Sequence, residues 1–256
     1  MTAAPLEVWV ERDGRLLRLR LARPKANVVD AEMIAALDRA LADHLDDPAI
    51  RAVLLDADGP NFSFGASVEE HLPPKCAAML AAIHALILRI AASPVPVMVA
   101  IRGQCLGGGL EVAMAAHLLF VAPDANLAQP EIIIGVFAPA ASCLLPERIG
   151  RAAAEDLLIS GRGIDGAEAK AIGLASAVAD DPEAAALAYF ETHLAGKSAS
   201  SLRYAVCAAR LGFAQRLEER LDAVEQLYLD GLMTTRDAVE GLEAFLEKRA
   251  AVWEDC

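Results

Sequence analysis

The sequence predicts an α/β core followed by a helical C-terminal region. Two patterns point there. Up to about residue 150, short apolar runs of strand length alternate with stretches of helical periodicity; beyond it, nearly every periodic stretch is helical. The chain has 256 residues, 55% of them apolar, which is enough to bury a substantial core.

Leu6 to Val10 and Leu16 to Leu21 alternate on either side of Asp13-Gly14, the pattern of a β-hairpin. Pro24 ends it. Asp30 reads as an N-cap, because Met33, Ile34, Leu37, Leu41 and Leu45 follow at helical spacing. Ala52 to Leu55 reads as a buried strand, and 58–70 as a loop with Gly59, Pro60 and Gly65. Pro73 is expected to open a helix reaching about Ala92, with Pro94 and Pro96 barring its continuation. Val97 to Ile101 is a second buried strand. Gly103 to Gly109 is expected to be a loop feeding a helix from Leu110 to about His117, with strands at Leu118 to Val121 and Leu127 to Gln129. Helices are expected at 152–159, 166–172, 182–195, 198–211, 215–232 and 234–253, and one strand at Ala175 to Val178. We divide the chain at 1–195 (core) and 196–256 (helical region).

The net charge is −13, which disfavours nucleic acid as a partner, since phosphate backbones require clustered positive charge. An anionic small ligand is still possible, because a few cations and helix N-termini suffice for one. Five cysteines, odd in number and scattered, argue against a disulfide framework or zinc ribbon and for a reduced, cytoplasmic setting. The simplest reading of each is a buried thiol acting as a small apolar group. Met1 to Arg12 has no signal-peptide pattern. Cys76 to Leu88, the longest apolar run, is too short for a membrane span.

Three segments could carry chemistry. Gly107-Gly108-Gly109 stands between an apolar strand and an apolar helix that begins with Leu110-Glu111. Free N–H groups at a helix start can hold an anion or a developing oxyanion. The spacing is neither a dinucleotide fingerprint nor a P-loop, and close strand–helix packing explains such glycines equally well. Phe62 to Ser67, F-S-F-G-A-S, offers a second glycine turn that could supply another N–H, although an ordinary loop looks the same. Gln129-Pro130-Glu131 places an acid beside a proline. Alone, Glu131 reads as a solvated loop residue and Glu111 as a favourable charge in a first helical turn. Two carboxylates near two glycine turns would together suit acid–base chemistry beside a stabilised oxyanion. His71, His84 and His117 lack metal-ligand spacing, so no metal site is expected, and no G-x-S-x-G elbow occurs.

F-S-F-G-A-S, G-G-G-L-E and Q-P-E-I, in this order and at these intervals, resemble the enoyl-CoA hydratase/isomerase (crotonase) superfamily. So do Arg23-Pro24-Lys25-Ala26-Asn27 near the start and the closing stretch from Glu240 through Phe245 to Arg249. The resemblance covers nearly the whole chain. It implies a spiral of ββα units with a C-terminal helical trimerisation region, an acyl-coenzyme A thioester as substrate, and no cofactor. It implies that Ala66 and Gly108 offer N–H groups to the thioester carbonyl and that Glu111 and Glu131 are the catalytic pair. Glu111 would orient and activate water, and Glu131 would transfer the proton on the carbon side. Substrate contacts implied in the same way are Lys25, Ala26, Phe64, Gly65, Ser67, Gly107, Phe137, Pro139, Phe245 and Lys248. A neighbouring subunit of a trimer or dimer of trimers could supply the last two.

Two loops depart from the family pattern. After Ala66 the sequence runs Ser67-Val68-Glu69-Glu70, with acids where many relatives carry a base, which puts one coenzyme A contact in doubt. After Gln129-Pro130-Glu131, Phe137-Ala138-Pro139-Ala140-Ala141-Ser142 replaces a glycine-rich segment on the acyl side. Both loops are similar to those of cyclohexa-1,5-diene-1-carbonyl-CoA hydratases of anaerobic aromatic degradation, which implies water addition to a cyclic dienoyl thioester. The alternatives are a general enoyl-CoA hydratase or isomerase, and a non-catalytic acyl-CoA-binding protein.

Overall fold

The structure is a computed structural model that describes residues 4–256. Strands β1 (Leu6–Glu11) and β2 (Leu16–Leu21) form the expected antiparallel hairpin. The chain then adds β3 (Ala52–Ala57), β4 (Val97–Ile101), β6 (Leu118–Val121) and β9 (Ala177–Val178), each parallel to its neighbour, giving the order β1-β2-β3-β4-β6-β9. All of β3 and β4 is buried, as expected of parallel strands covered on both faces. Asp56 is the exception in type: it lies inside β3 but accepts from the guanidinium groups of Arg18 and Arg20, and Arg18 also reaches Glu183. Burying that acid is tolerable only because it is paired.

A second, smaller sheet holds β5 (Gln104–Leu106), β7 (Asn126–Ala128) and β8 (Gly163–Ile164). Single bridges extend it, Ser63 to Cys105 and Val29 to Ala66. Successive turns of the chain thus give one strand to the long sheet and one to the short one, followed by a helix, which is the spiral the resemblance implied. The stacking aligns Ser63 with Cys105 and Cys105 with Leu127. Three residues beyond these aligned positions stand Ala66, Gly108 and Pro130, and Glu131 follows at once. The parallel register therefore delivers the three sequence segments singled out above to one end of the short sheet.

Helix α1 (Ala31–His44) is capped by Asp30, which accepts from Met33 N at 3.0 Å. Helix α2 (Cys76–Ala91) starts three residues later than expected, beyond Pro73-Pro74. Helix α3 (Gly107–Ala115) takes the three glycines into its first turn, and the segment before it is strand β5 rather than loop. Helix α4 (Pro139–Ile149) was not expected, because Pro139 and Pro146 interrupt its sequence. Pro139 stands at its start, where no N–H is required. Helices α5 (Arg151–Ser160), α6 (Gly166–Ala171) and α7 (Pro182–Tyr189) follow.

The C-terminal helices are α8 (Ala199–Ala209), α9 (Phe213–Gln226), a π-turn at Leu227–Gly231 and α10 (Arg236–Glu247). Helix α9 packs on α2 and α4, and α10 on the short 3-10 turns Val68–His71 and Pro130–Ile134. The last helix stops at Glu247, short of Trp253, with Lys248 in the left-handed region at φ 55°. Trp253 folds back over Gly135 and Gly241, where a Cβ would meet its ring at about 3 Å. Cys76, Cys105 and Cys143 are buried as expected, whereas Cys207 and Cys256 are exposed; all five are free thiols.

Candidate active site

Helix α3 is buried along its whole length and has no side-chain cap at its N-terminus. The N–H groups of its glycine turn therefore stay available, and the helix dipole adds positive potential there. The opposite end is held by two cations. Arg210 donates to Ala91 O and Ala115 O at 2.9 Å and to Ala116 O at 2.6 Å, while Arg148 donates to Met114 O at 2.6 Å. Burial lowers both guanidinium pKa values to about 10, so both stay charged at neutral pH.

Ala66 faces the glycine turn closely. A methyl group on Gly108 would lie 2.9 Å from Ala66 Cβ and 3.1 Å from Ala66 N. The Ala66 segment is fixed from behind by Ser63. Its hydroxyl donates to Asn27 O at 2.8 Å and accepts from Gly65 N at 3.1 Å, and Gly65 O accepts from Val29 N at 2.9 Å. Gly65 takes φ 102°, and a Cβ there would press on Leu106 O at 3.1 Å, so glycine is required at this crossing. Asn27 is fully buried and ties the same loop, donating to Asp58 O and Asn61 O.

Glu111 is buried, and its Oε1 accepts from Ala141 N at 2.8 Å. Burial pushes its carboxyl up to about 7, opposed by the Ala141 and Ala140 N–H groups. Glu131 lies across from it at the start of the 3-10 turn. Burial, then the charge of Glu111, pushes its carboxyl up to about 8. Because the charge of Glu111 raises Glu131, the two lose their protons in separate steps, which positions Glu131 as the acid and Glu111 as the base. The side-chain amide of Gln129, with its nitrogen toward Glu131, lies 3.1 and 3.2 Å from the two carboxylate oxygens.

The structure thus gathers Gly65, Ala66, Gly107, Gly108, Glu111 and Glu131, with Phe137 and Pro139 on the segment that carries Ala141. Ser67 immediately precedes the adjoining 3-10 turn, and Ala26 O accepts from Phe64 N at 2.8 Å, which places Ala26 and Phe64 at the rim. Lys25, Phe245 and Lys248 are exposed, and neither lysine side chain has an ion pair among the described residues. The acids beyond Ala66 have structural partners: Glu70 accepts from Ala31 N at the start of α1, and Glu69 pairs with Lys75 at 3.3 Å. Ser63, Gln129, Ala141 and Tyr228 were not singled out from sequence. Ser63, Gln129 and Ala141 lay inside quoted segments without a role of their own, and nothing local marked Tyr228. A groove of about 630 Å³ between α1 and α2 carries no acid pair, so chemistry rather than volume locates the site. Among the described residues no cluster of three or more potential ligands could hold a metal ion.

Residues 11–256 match the family model for enoyl-CoA hydratase/isomerase, and the chain belongs to that family. It is 66% identical over 99% of its length to a cyclohexa-1,5-dienecarbonyl-CoA hydratase of Thauera aromatica, covering 98% of that protein. It is 29% identical over 95% of its length to a carnitinyl-CoA dehydratase of Salmonella typhi, covering 96% of that one. A crystal structure of an enoyl-CoA hydratase from Mycobacterium avium subsp. paratuberculosis superposes with a TM-score of 0.83 at 26% identity, over 99% of this chain and 100% of that one.

Proposed function

We propose that the chain hydrates a cyclic conjugated dienoyl-CoA thioester, cyclohexa-1,5-diene-1-carbonyl-CoA, to 6-hydroxycyclohex-1-ene-1-carbonyl-CoA. The observation that carries this reading is the pair of buried Glu111 and half-buried Glu131 beside the Ala66 and Gly108 amides. The 66% identical hydratase from Thauera aromatica supports the ring as the acyl group.

The chemistry follows from the substrate. The thioester carbonyl oxygen takes the N–H groups of Ala66 and Gly108. Water loses a proton to Glu111 and its oxygen bonds to the ring carbon β to the carbonyl. The electron pair of that double bond moves toward the carbonyl, giving a dienolate whose oxyanion rests in the hole. Each such donor contributes about 3–4 kcal/mol to the transition state. The dienolate collapses by taking a proton from Glu131 at the remote γ-carbon, and the remaining double bond shifts into conjugation. The net change is addition of one water, 1,4 across the diene, without an oxidant, a metal or a redox cofactor.

Glu111 suits the base because the Ala141 N–H favours its ionised form. Glu131, held higher by burial and by its partner, suits the acid. Lys25 and Lys248 would meet the phosphates of coenzyme A, with Phe245 near the adenine. Ala26, Phe64, Gly65, Ser67 and Gly107 would line the thioester entry, and Phe137 and Pro139 the ring.

We assign 1–195 to the catalytic core and 196–256 to a region that forms a homotrimer or a dimer of trimers. Exposed Tyr204, Leu211 and Leu227 on that region support association. The free thiols fit a cytoplasmic setting, and no helix among the described residues is long and apolar enough to cross a membrane.

The test follows the loss of dienoyl absorbance with purified protein, comparing the cyclic dienoyl-CoA with crotonyl-CoA. A higher kcat/KM for the cyclic substrate is expected. Equal or better turnover of crotonyl-CoA replaces this reading by a general enoyl-CoA hydratase, and binding without turnover of either substrate by a non-catalytic acyl-CoA-binding protein.

A further inference from the structure

Tyr228 lies in the π-turn that ends α9, a widened turn of the kind that often marks a functional position. It is fully buried, and its ring meets that of Phe137 edge-on at 5.2 Å. Its hydroxyl has no protein hydrogen-bond partner among the described residues. Buried hydroxyls are nearly always bonded, so an open one inside a site calls for a reason. Burial, with the nearby Cys76 thiol and the Glu131 and Glu111 carboxylates, holds the phenol in its protonated form. It is therefore a hydrogen-bond donor and not a proton-transfer group.

The site is rich in acceptors and poor in free donors. Ionised Glu111 only accepts, and the proton that Glu131 carries is assigned to the γ-carbon. The Ala66 and Gly108 amides are assigned to the thioester oxygen. The Gln129 amide faces Glu131, and the Ser142 hydroxyl donates to Ala138 O at 2.7 Å. An oxygen attached to the β-carbon keeps lone pairs that need a donor.

We propose that Tyr228 donates its phenolic O–H to the oxygen that joins the β-carbon, first that of the incoming water and then the hydroxyl of the product. This assignment rests on the hydratase reading above and adds to it a contact from the C-terminal helical region. The phenol fixes the angle at which the oxygen meets the ring face, so Tyr228 is a positioning residue for water and a specificity residue for the hydroxylated acyl group.

The test is Tyr228→Phe, which keeps the ring on Phe137 and removes only the hydroxyl. Binding of 6-hydroxycyclohex-1-ene-1-carbonyl-CoA is compared with that of cyclohex-1-ene-1-carbonyl-CoA, which lacks the hydroxyl. We expect roughly tenfold weaker binding of the hydroxylated ligand alone, consistent with one lost hydrogen bond. We also expect a kcat/KM for hydration at least tenfold lower, with a Tm equal to or above that of the wild type. Retention of the hydroxyl discrimination, or equal weakening of both ligands, overturns the proposal. If the wild-type protein prefers crotonyl-CoA, the cyclic reading fails on its own. The same comparison made with 3-hydroxybutyryl-CoA and butyryl-CoA then decides the role of Tyr228.

Discussion

A methyl group placed on Gly107 would stand 2.5 Å from Oε1 of Glu131. The glycine turn and the carboxylate are therefore in direct contact across the short sheet. Gly107 also takes φ 46°, a conformation that L side chains adopt at a cost. Gly107→Ala is expected to displace Glu131 and to lower kcat/KM by about 100-fold or more, as small misplacements of a catalytic group do. Backbone strain should lower stability by about 1–2 kcal/mol. Steady-state kinetics and denaturant unfolding check the two effects separately.

The raised acids make a prediction about stability against pH. Glu131 binds its proton more tightly in the native state than in the unfolded chain. Between the ordinary value of 4.5 and about 8, the native state thus holds more protons than the unfolded one. Stability contributed by this group is complete below 4.5 and is lost as the pH rises toward 8. Glu131→Gln removes that dependence. The Tm of the variant relative to wild type is expected to climb steadily across this window in thermal melts, and a constant difference would contradict the raised acid.

The far end of helix α3 yields a stability prediction. Arg210, just beyond α8, bonds three carbonyls at the ends of α2 and α3. Arg210→Met keeps the apolar stem and leaves those carbonyls without their cation. A loss of about 2–4 kcal/mol is expected in urea unfolding, because breaking buried charge-assisted bonds is costly. An unchanged midpoint would show that the C-terminal region does not brace the helix that carries Glu111.

Much of the fold could be read from sequence because its signals are local. The Asp13-Gly14 hairpin, the Asp30 cap and the apolar strands 52–55 and 97–101 each depend on neighbours in the chain, and each is present. Helix α4 escaped because its two prolines read as breaks, whereas the first sits where no N–H is needed. The end of α10 escaped because apolar spacing continues to Trp253, although the tail instead folds back on Gly135 and Gly241. Glu111 and Glu131 were visible as members of motifs. The roles of Ser63, Ala141 and Tyr228 were not visible, because they arise from parallel register and helix packing, which bring together residues as far apart as Phe137 and Tyr228.

The central claim is that Glu111 and Glu131 together carry out the hydration, and conservative removal of each carboxylate tests it most directly. Glu111→Gln and Glu131→Gln preserve size and hydrogen bonding but remove the titrating group. With the cyclic dienoyl-CoA, each is expected to lose at least about 1,000-fold in kcat, in the upper part of the range for one acid–base group because the two act as a unit. Acyl-CoA binding should persist within a few-fold of wild type. Near-normal kcat in either variant would contradict the account.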